Sequence, residues 1–152
     1  MMKLRGFEKV SAKSGDGNVV MPKRSTKGSA GYDFISPVDV TVPARGSVII
    51  PSGIKAYMQD DECLFLYPRS SWGIKHGIMI QNTVGVVDSD YYDNPDNEGE
   101  ILVALKNLSD DDHAVRKGDR FCQGIFKKIL LTDDDRTDGV RNGGIGSTDK
   151  SF

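Results

Sequence analysis

A hydrophobic period of two runs through most of this chain, and it constrains the fold more than any other feature. Val38-Asp39-Val40-Thr41-Val42 alternates apolar and polar side chains, Pro43-Ala44-Arg45-Gly46 turns, and Ser47-Val48-Ile49-Ile50 resumes as strand. Successive side chains of a pleated strand face opposite sides, so this alternation suits a sheet and not a helix. Pro51-Ser52-Gly53 breaks the run and Ile54-Lys55-Ala56-Tyr57-Met58 restarts it. Cys63-Leu64-Phe65-Leu66-Tyr67 reads as a buried strand stopped by Pro68. Ile78-Met79-Ile80, Gly85-Val86-Val87 and Ile101-Leu102-Val103-Ala104-Leu105 follow, and residues 121–131 form the longest apolar stretch. Gly or Pro interrupts the pattern about every eight to twelve residues, which is the spacing of an all-β sandwich or barrel. One short helix is expected over residues 70–75, after Arg69, and no long amphipathic helix.

The chain has 152 residues, the size of one domain with a real core. Its formal net charge of -2 argues against general affinity for nucleic acid, which needs a basic face. No apolar run reaches membrane-spanning length, and Met1-Met2-Lys3-Leu4-Arg5-Gly6-Phe7 has no apolar stretch behind its charges. Cys63 and Cys122 sit far apart in apolar surroundings, which predicts buried, reduced thiols and a cytoplasmic protein. The acidic runs Asp110-Asp111-Asp112 and Asp133-Asp134-Asp135 read as solvated loops. Beyond Asp133 the periodicity ends and glycine accumulates. The chain is therefore divided into a core over residues 1–132 and a flexible lid over residues 133–152 that orders on a ligand.

Five polar, glycine-bearing blocks remain that a fold alone does not demand. They are Ser29-Ala30-Gly31-Tyr32-Asp33, Pro68-Arg69-Ser70-Ser71, Gly85-Val86-Val87-Asp88-Ser89-Asp90-Tyr91, Gly118-Asp119-Arg120-Phe121-Cys122-Gln123 and Arg141-Asn142-Gly143-Gly144-Ile145-Gly146-Ser147-Thr148. Asp88 follows an apolar run, at the end of a buried strand facing a cleft, where a carboxylate can take a proton or orient a water. A plain turn Asp fits the same residues. Arg69 offers planar donors suited to phosphate, and Ser70 opens a helix whose free N–H groups favour anions; a surface turn with a capping serine is the bland alternative. Tyr91 is by itself an ordinary strand aromatic, Asn82 a turn residue and Gln123 an exposed strand residue. In the tail, Arg141 supplies a charge, the glycines permit close backbone approach, and Ser147 and Thr148 add donors.

Together, in this order and spacing, the blocks resemble the five motifs of the trimeric deoxyuridine triphosphatases (dUTPases), bacterial or phage type, over almost the whole chain. The resemblance implies a distorted jelly-roll barrel or sandwich, assembled as a homotrimer with shared active sites. It implies hydrolysis of dUTP to dUMP and pyrophosphate by water attack on the α-phosphorus, with Asp88 orienting the water. Substrate contacts fall on Arg69, Ser70, Ser71, Asn82, Gly85, Val87, Tyr91, Gln123, Arg141, Gly144, Ile145, Gly146, Ser147 and Thr148. Asn82 lies in a hairpin that reads uracil through its main chain, and Tyr91 packs against the deoxyribose and leaves no space for a 2′-hydroxyl. Asp33 helps hold Mg2+ through coordinated water. The tail folds over a site on another subunit.

Two departures from the family pattern stand out. Ile145 replaces a Phe that stacks on uracil in the commonest form, so the lid is weaker or Phe152 or Trp72 takes over. After Tyr92, Asp93-Asn94-Pro95-Asp96-Asn97-Glu98 precedes Gly99 as an inserted loop, expected to leave the catalytic core alone. Two rival readings stay open. A dCTP deaminase needs a glutamate base near the ring, but Glu62, Glu98 and Glu100 are read as turn residues. A regulator of phage type would bind a protein partner, with the nucleotide as a switch.

Overall fold

The computed structural model describes residues 1–149. Among them the strands are β1 (Gly6–Lys9), β2 (Tyr32–Ile35), β3 (Val40–Val42), β4 (Ser47–Pro51), β5 (Ile54–Tyr57) and β6 (Glu62–Tyr67). After helix α1 (Ser70–His76) come β7 (Ile78–Ile80), β8 (Gly85–Asp88), β9 (Leu102–Asn107), β10 (His113–Val115) and β11 (Arg120–Lys128). All the strand pairings are antiparallel. A four-stranded sheet runs in the order β2-β11-β6-β8 and a three-stranded one in the order β4-β9-β7, with the pairs β1-β5 and β3-β10 beside them.

The core lies between the two larger sheets. Phe34, Leu64, Leu66, Val87 and Phe121 come from the first; Ile50, Ile78, Ile80, Val103 and Leu105 come from the second. β9 shows the alternation most clearly: Val103, Leu105 and Asn107 are buried and their neighbours are not. Asn107 is a polar residue in that inward set, and its amide donates to the carbonyls of Val42 and Asp111 at 3.1 and 2.8 Å, so its burial is satisfied. In β11 the register against β2 shifts between Arg120 and Cys122. The resulting bulge lets two consecutive residues, Phe121 and Cys122, both point inward.

The all-β sandwich of jelly-roll type is thus present, and α1 covers the expected residues plus His76. It ends at Gly77, whose φ of 66° is left-handed and whose N–H donates to the Gly73 carbonyl at 3.2 Å. Other details differ from expectation. Glu62 is not a turn residue: it opens β6, is 4% exposed, and receives Arg5 in a two-pronged ion pair. The segment carrying Asn82 is not a ladder hairpin, because β7 pairs with β9 and β8 with β6, so the turn joins strands of different sheets. β11 stops at Lys128, leaving Leu130 and Leu131 exposed. No described helix is long and apolar enough to cross a membrane.

Candidate functional site

β8 is an edge strand, paired on one side to β6 with Gly85 opposite Leu66 and Asp88 opposite Cys63. The period of two turns Gly85 and Val87 inward and leaves Val86 and Asp88 outside. Beside it lies a cavity of about 400 Å³, walled by Asn82, Gly85, Val87, Asp88 and Tyr91, with Arg141, Gly144 and Ile145 of the tail across it. Ile80 and Ile101 add an apolar floor. Cavities of this size, largely apolar with a few convergent polar groups, suit a small molecule.

The polar groups of this cavity are tied together. Arg141 donates from Nη2 to Asp88 Oδ2 at 2.7 Å and from Nε to Asp90 Oδ1 at 2.6 Å, and from Nη1 to the Gly143 carbonyl at 3.1 Å. The hydrogen bond to Asp90 comes first, and with both carboxylates it holds the guanidinium above its already high ordinary pKa. The tail gets this close because its glycines lack side chains. A Cβ on Gly144 would lie 2.5 Å from the Tyr91 ring, and one on Gly143 would lie 2.9 Å from Asp96. Tyr91 sits in a 3-10 turn directly after β8 and donates its hydroxyl to the Glu100 carbonyl at 2.8 Å.

A second cluster lies on the far side of the same sheet. Asp33 on β2, opposite Gln123, is nearly buried. It accepts from the Ser25 hydroxyl at 2.8 Å and faces Arg69 at 3.4 Å and Arg120 at 3.8 Å. Gln123 donates to the Pro68 carbonyl at 3.1 Å, tying β11 to the segment that leads into α1. Ser70 and Ser71 are exposed at the start of that helix. β2 and β8 are the two edges of the four-stranded sheet, so Asp33 and Asp88 are roughly 14 Å apart across the strands. The register also sets them four residues apart along β6, from Tyr67 to Cys63. One chain therefore brings Asn82, Gly85, Val87, Asp88, Tyr91, Arg141, Gly144 and Ile145 together. It leaves Asp33, Arg69, Ser70, Ser71 and Gln123 in a separate group.

Gly146, Ser147 and Thr148 lie past the cavity in a short turn, with the Ser147 N–H on the Gly144 carbonyl at 3.3 Å. The tail lies across the third block of its own chain, where the resemblance had sent it to another subunit. Trp72 is not a substitute lid: it packs on the core with its ring 4.7 Å from His113. Phe152 lies outside the described residues.

The donor set of one chain does not fit a resident Mg2+. Both Asp33 oxygens are engaged, one by Ser25 and one by Arg69, and two guanidinium groups stand beside it. Among the described residues no three His, Cys, Asp or Glu cluster as metal ligands. The cysteines are free and buried. Burial, with Asp88 as a lesser cause, pushes the Cys63 thiol up, and burial does the same to Cys122. Neither is poised as a nucleophile.

Sequence reasoning passed over Asp90, which shares Arg141 with Asp88 although it stands inside the third block. It also gave no role to Arg120, two residues after Gly118, or to the loop over residues 93–98. That loop was expected to stand apart from the core. Instead Asn94 donates to the Tyr91 carbonyl at 2.8 Å, Asn97 donates to the Tyr91 hydroxyl at 2.8 Å, and the Asp96 N–H donates to the Asn142 carbonyl at 3.1 Å. Nothing in the local composition of the loop signals these contacts.

Comparison with known proteins places the chain in a family. The dUTPase family model matches residues 17–148. The deoxyuridine 5'-triphosphate nucleotidohydrolase of Lactococcus lactis subsp. lactis is 44% identical over 149 residues, 97% of this chain and 99% of its own. That of Arabidopsis thaliana is 40% identical over 85% of this chain and 76% of its own. The crystal structure of dUTPase from Streptococcus mutans superposes with a TM-score of 0.77 at 43% identity, covering 84% of this chain and 98% of that one. The dUTPase from phage phi11 of S. aureus, at 18% identity and a TM-score of 0.70, shares the fold. By sequence over most of its length, by its five blocks and by its sandwich, the chain belongs to the dUTPase family.

Proposed function

We propose that this chain hydrolyses dUTP to dUMP and pyrophosphate, with Asp88 orienting and deprotonating the attacking water. The observation that carries the reading is the cavity in which Asp88, Tyr91, Asn82 and the tail arginine converge, in a chain of this family. Water attacks the α-phosphorus in line, the bond from that phosphorus to the bridging oxygen breaks, the water proton passes to Asp88, and pyrophosphate leaves. Such a reaction asks the protein for positioning and charge neutralisation more than for covalent chemistry.

The Arg141 contacts support one order of events. Asp88 and Asp90 hold the guanidinium. A triphosphate competes for it through charge-assisted, two-pronged bonds, and its release leaves Asp88 free to accept from water. Arg69, Ser70, Ser71 and Gln123 serve the phosphate chain. Because they lie at the other edge of the sheet, they come from a second copy, which is the reading that supports a homotrimer with shared sites. Ile145, Gly146, Ser147 and Thr148 close over the nucleotide as the end of a lid formed by residues 133–152. Asn82 and Gly85 present main-chain groups to uracil, above Val87.

Mg2+ is assigned to the nucleotide, with phosphate oxygens and water as ligands and Asp33 no closer than through water. Mg2+ keeps several waters and needs few protein ligands in phosphate sites, which agrees with a chain that offers no cage.

The test is pyrophosphate release from dUTP, dTTP, dCTP and UTP, with Mg2+ and after chelation. Release from dUTP alone, lowered about 10²- to 10⁴-fold in Asp88→Asn, supports the reaction and the role of Asp88. Undiminished release by Asp88→Asn, or ammonia release from dCTP, contradicts it.

A further inference from the structure

The inserted loop holds the sugar-side tyrosine. Residues 93–98 are fixed at their base by Lys55, whose ammonium pairs with Asp93 and with Glu98, and Glu98 also accepts from the Ser11 hydroxyl at 2.6 Å. Inside the loop, Asn94 is 4% exposed and organises the turn. Its Oδ1 accepts from the N–H groups of Asp96 and Asn97 at 3.0 and 3.1 Å, and its amide nitrogen donates to Asn97 Oδ1 at 2.9 Å. Asn97 Oδ1 also accepts the Gly99 N–H at 3.0 Å. With its acceptor held twice, the Asn97 amide nitrogen has one orientation, and it aims at the Tyr91 hydroxyl at 2.8 Å.

That hydroxyl is thus held from two sides, since it donates in turn to the Glu100 carbonyl at 2.8 Å. The Tyr91 backbone is held as well, through the Asn94 amide on its carbonyl. Gly99 closes the loop at a φ of 86°, and a Cβ there would lie 2.6 Å from the Tyr91 carbonyl oxygen, so the loop packs directly on the tyrosine. The Asp96 N–H on the Asn142 carbonyl joins the same loop to the tail.

We infer that Asn97 is a positioning residue for sugar selection: through the Tyr91 hydroxyl it fixes the ring against which the deoxyribose packs. This rests on the proposed dUTP hydrolysis and on the deoxyribose contact that the resemblance to the dUTPases implies for Tyr91. A ring held at its far end cannot swing away to admit a 2′-hydroxyl; a ring free at that end can. Asn97 needs no contact with the nucleotide to act in this way.

The experiment measures kcat/KM for dUTP and for UTP in Asn97→Ala, Asn97→Asp, Tyr91→Phe and the double variant Asn97→Ala/Tyr91→Phe, with the melting temperature of each. Asn97→Asp keeps the acceptor for Asn94 and Gly99 and puts an acceptor in place of the donor at the Tyr91 hydroxyl, whose one proton then serves either residue 97 or the Glu100 carbonyl but not both, so it covers the case in which Asn97→Ala fails to fold. The expected result is a loss of dUTP-over-UTP selectivity of roughly fivefold in each single Asn97 variant, the size of one hydrogen bond. Adding Asn97→Ala to Tyr91→Phe is expected to change the selectivity no further, as for two residues acting as one unit. Selectivity that stays at the wild-type value in both Asn97 variants, or that falls additively in the double variant, overturns the inference while leaving dUTP hydrolysis standing. A wild-type chain that releases no pyrophosphate from dUTP overturns the proposed function, and this inference with it.

Discussion

At residue scale the cavity rests on a few oriented side chains, and Ile145 is the least settled of them. It is 79% exposed and its φ is 45°, a left-handed conformation that a β-branched residue adopts only under strain. It reaches the cavity rim but has no ring to stack on a base. Ile145→Phe removes the β-branch and adds a stacking face. It should raise kcat/KM for dUTP roughly three- to tenfold, the worth of one aromatic stack. No change, measured under subsaturating dUTP, would mean that the lid does not cover the base. The roles proposed for Asp88 and Asn97 belong to this scale too: the first concerns the water, the second the tyrosine.

At the scale of elements, α1 opens on Ser70 and Ser71, which the proposed function gives to the phosphate chain, and is seated through an aromatic contact with a titratable partner. Trp72 on α1 lies 4.7 Å from the His113 ring on β10, and His76 at the end of α1 lies 5.0 Å from it. His113 Nε2 is buried and has no hydrogen-bond partner among the described residues. Burial first, and His76 second, hold the His113 pKa below its ordinary value of 6.5, against a smaller opposing pull from Asp119. Above pH 6.5 the native and unfolded chains are both neutral at this group, so it contributes no pH dependence. Below 6.5 the unfolded chain takes up the proton first, so stability falls as pH falls, until the native pKa is reached. Trp72 is the single tryptophan, so its emission reports directly on this contact. Urea midpoints are expected to fall from pH 7.5 to pH 5.5, with a change in Trp72 emission, and to fall less in His113→Phe. Equal slopes in both proteins would remove His113 from the account.

The same scale shows what the sequence discloses and what it withholds. β4, β6 and β9 were legible because each alternates or runs apolar between Gly and Pro breaks. β1 was not: Gly6-Phe7-Glu8-Lys9 is too short to show a period and becomes a strand by pairing with residues 54–57 of β5. β10 likewise exists through β3. Glu62 looked like a turn residue because its partner, Arg5, stands 57 positions away. The loop over residues 93–98 read as turn and charge, which is right for its conformation. Its hold on Tyr91 and Asn142 depends on Lys55, 38 positions before Asp93, and no local pattern encodes that. The five blocks marked the family, while their division into two groups emerged only from the strand order.

At the scale of the whole molecule that division sets two half-sites on one chain. Asp88, Tyr91 and the tail stand at one edge of the four-stranded sheet, and Asp33, Arg69 and Gln123 at the other. Under the proposed function a second copy of the chain, bringing its Arg69 edge to the Asp88 edge of the first, completes the site. Mixing two crippled chains tests this most directly. Asp88→Asn and Arg69→Ala are each expected to release little pyrophosphate from dUTP. Refolded together in equal amounts, they should recover about a quarter of the wild-type rate, the share of interfaces in a random cyclic assembly that pair an intact Arg69 with an intact Asp88. A mixture no more active than its two components, beside an active wild type, would place both residues in one chain's site and contradict the account.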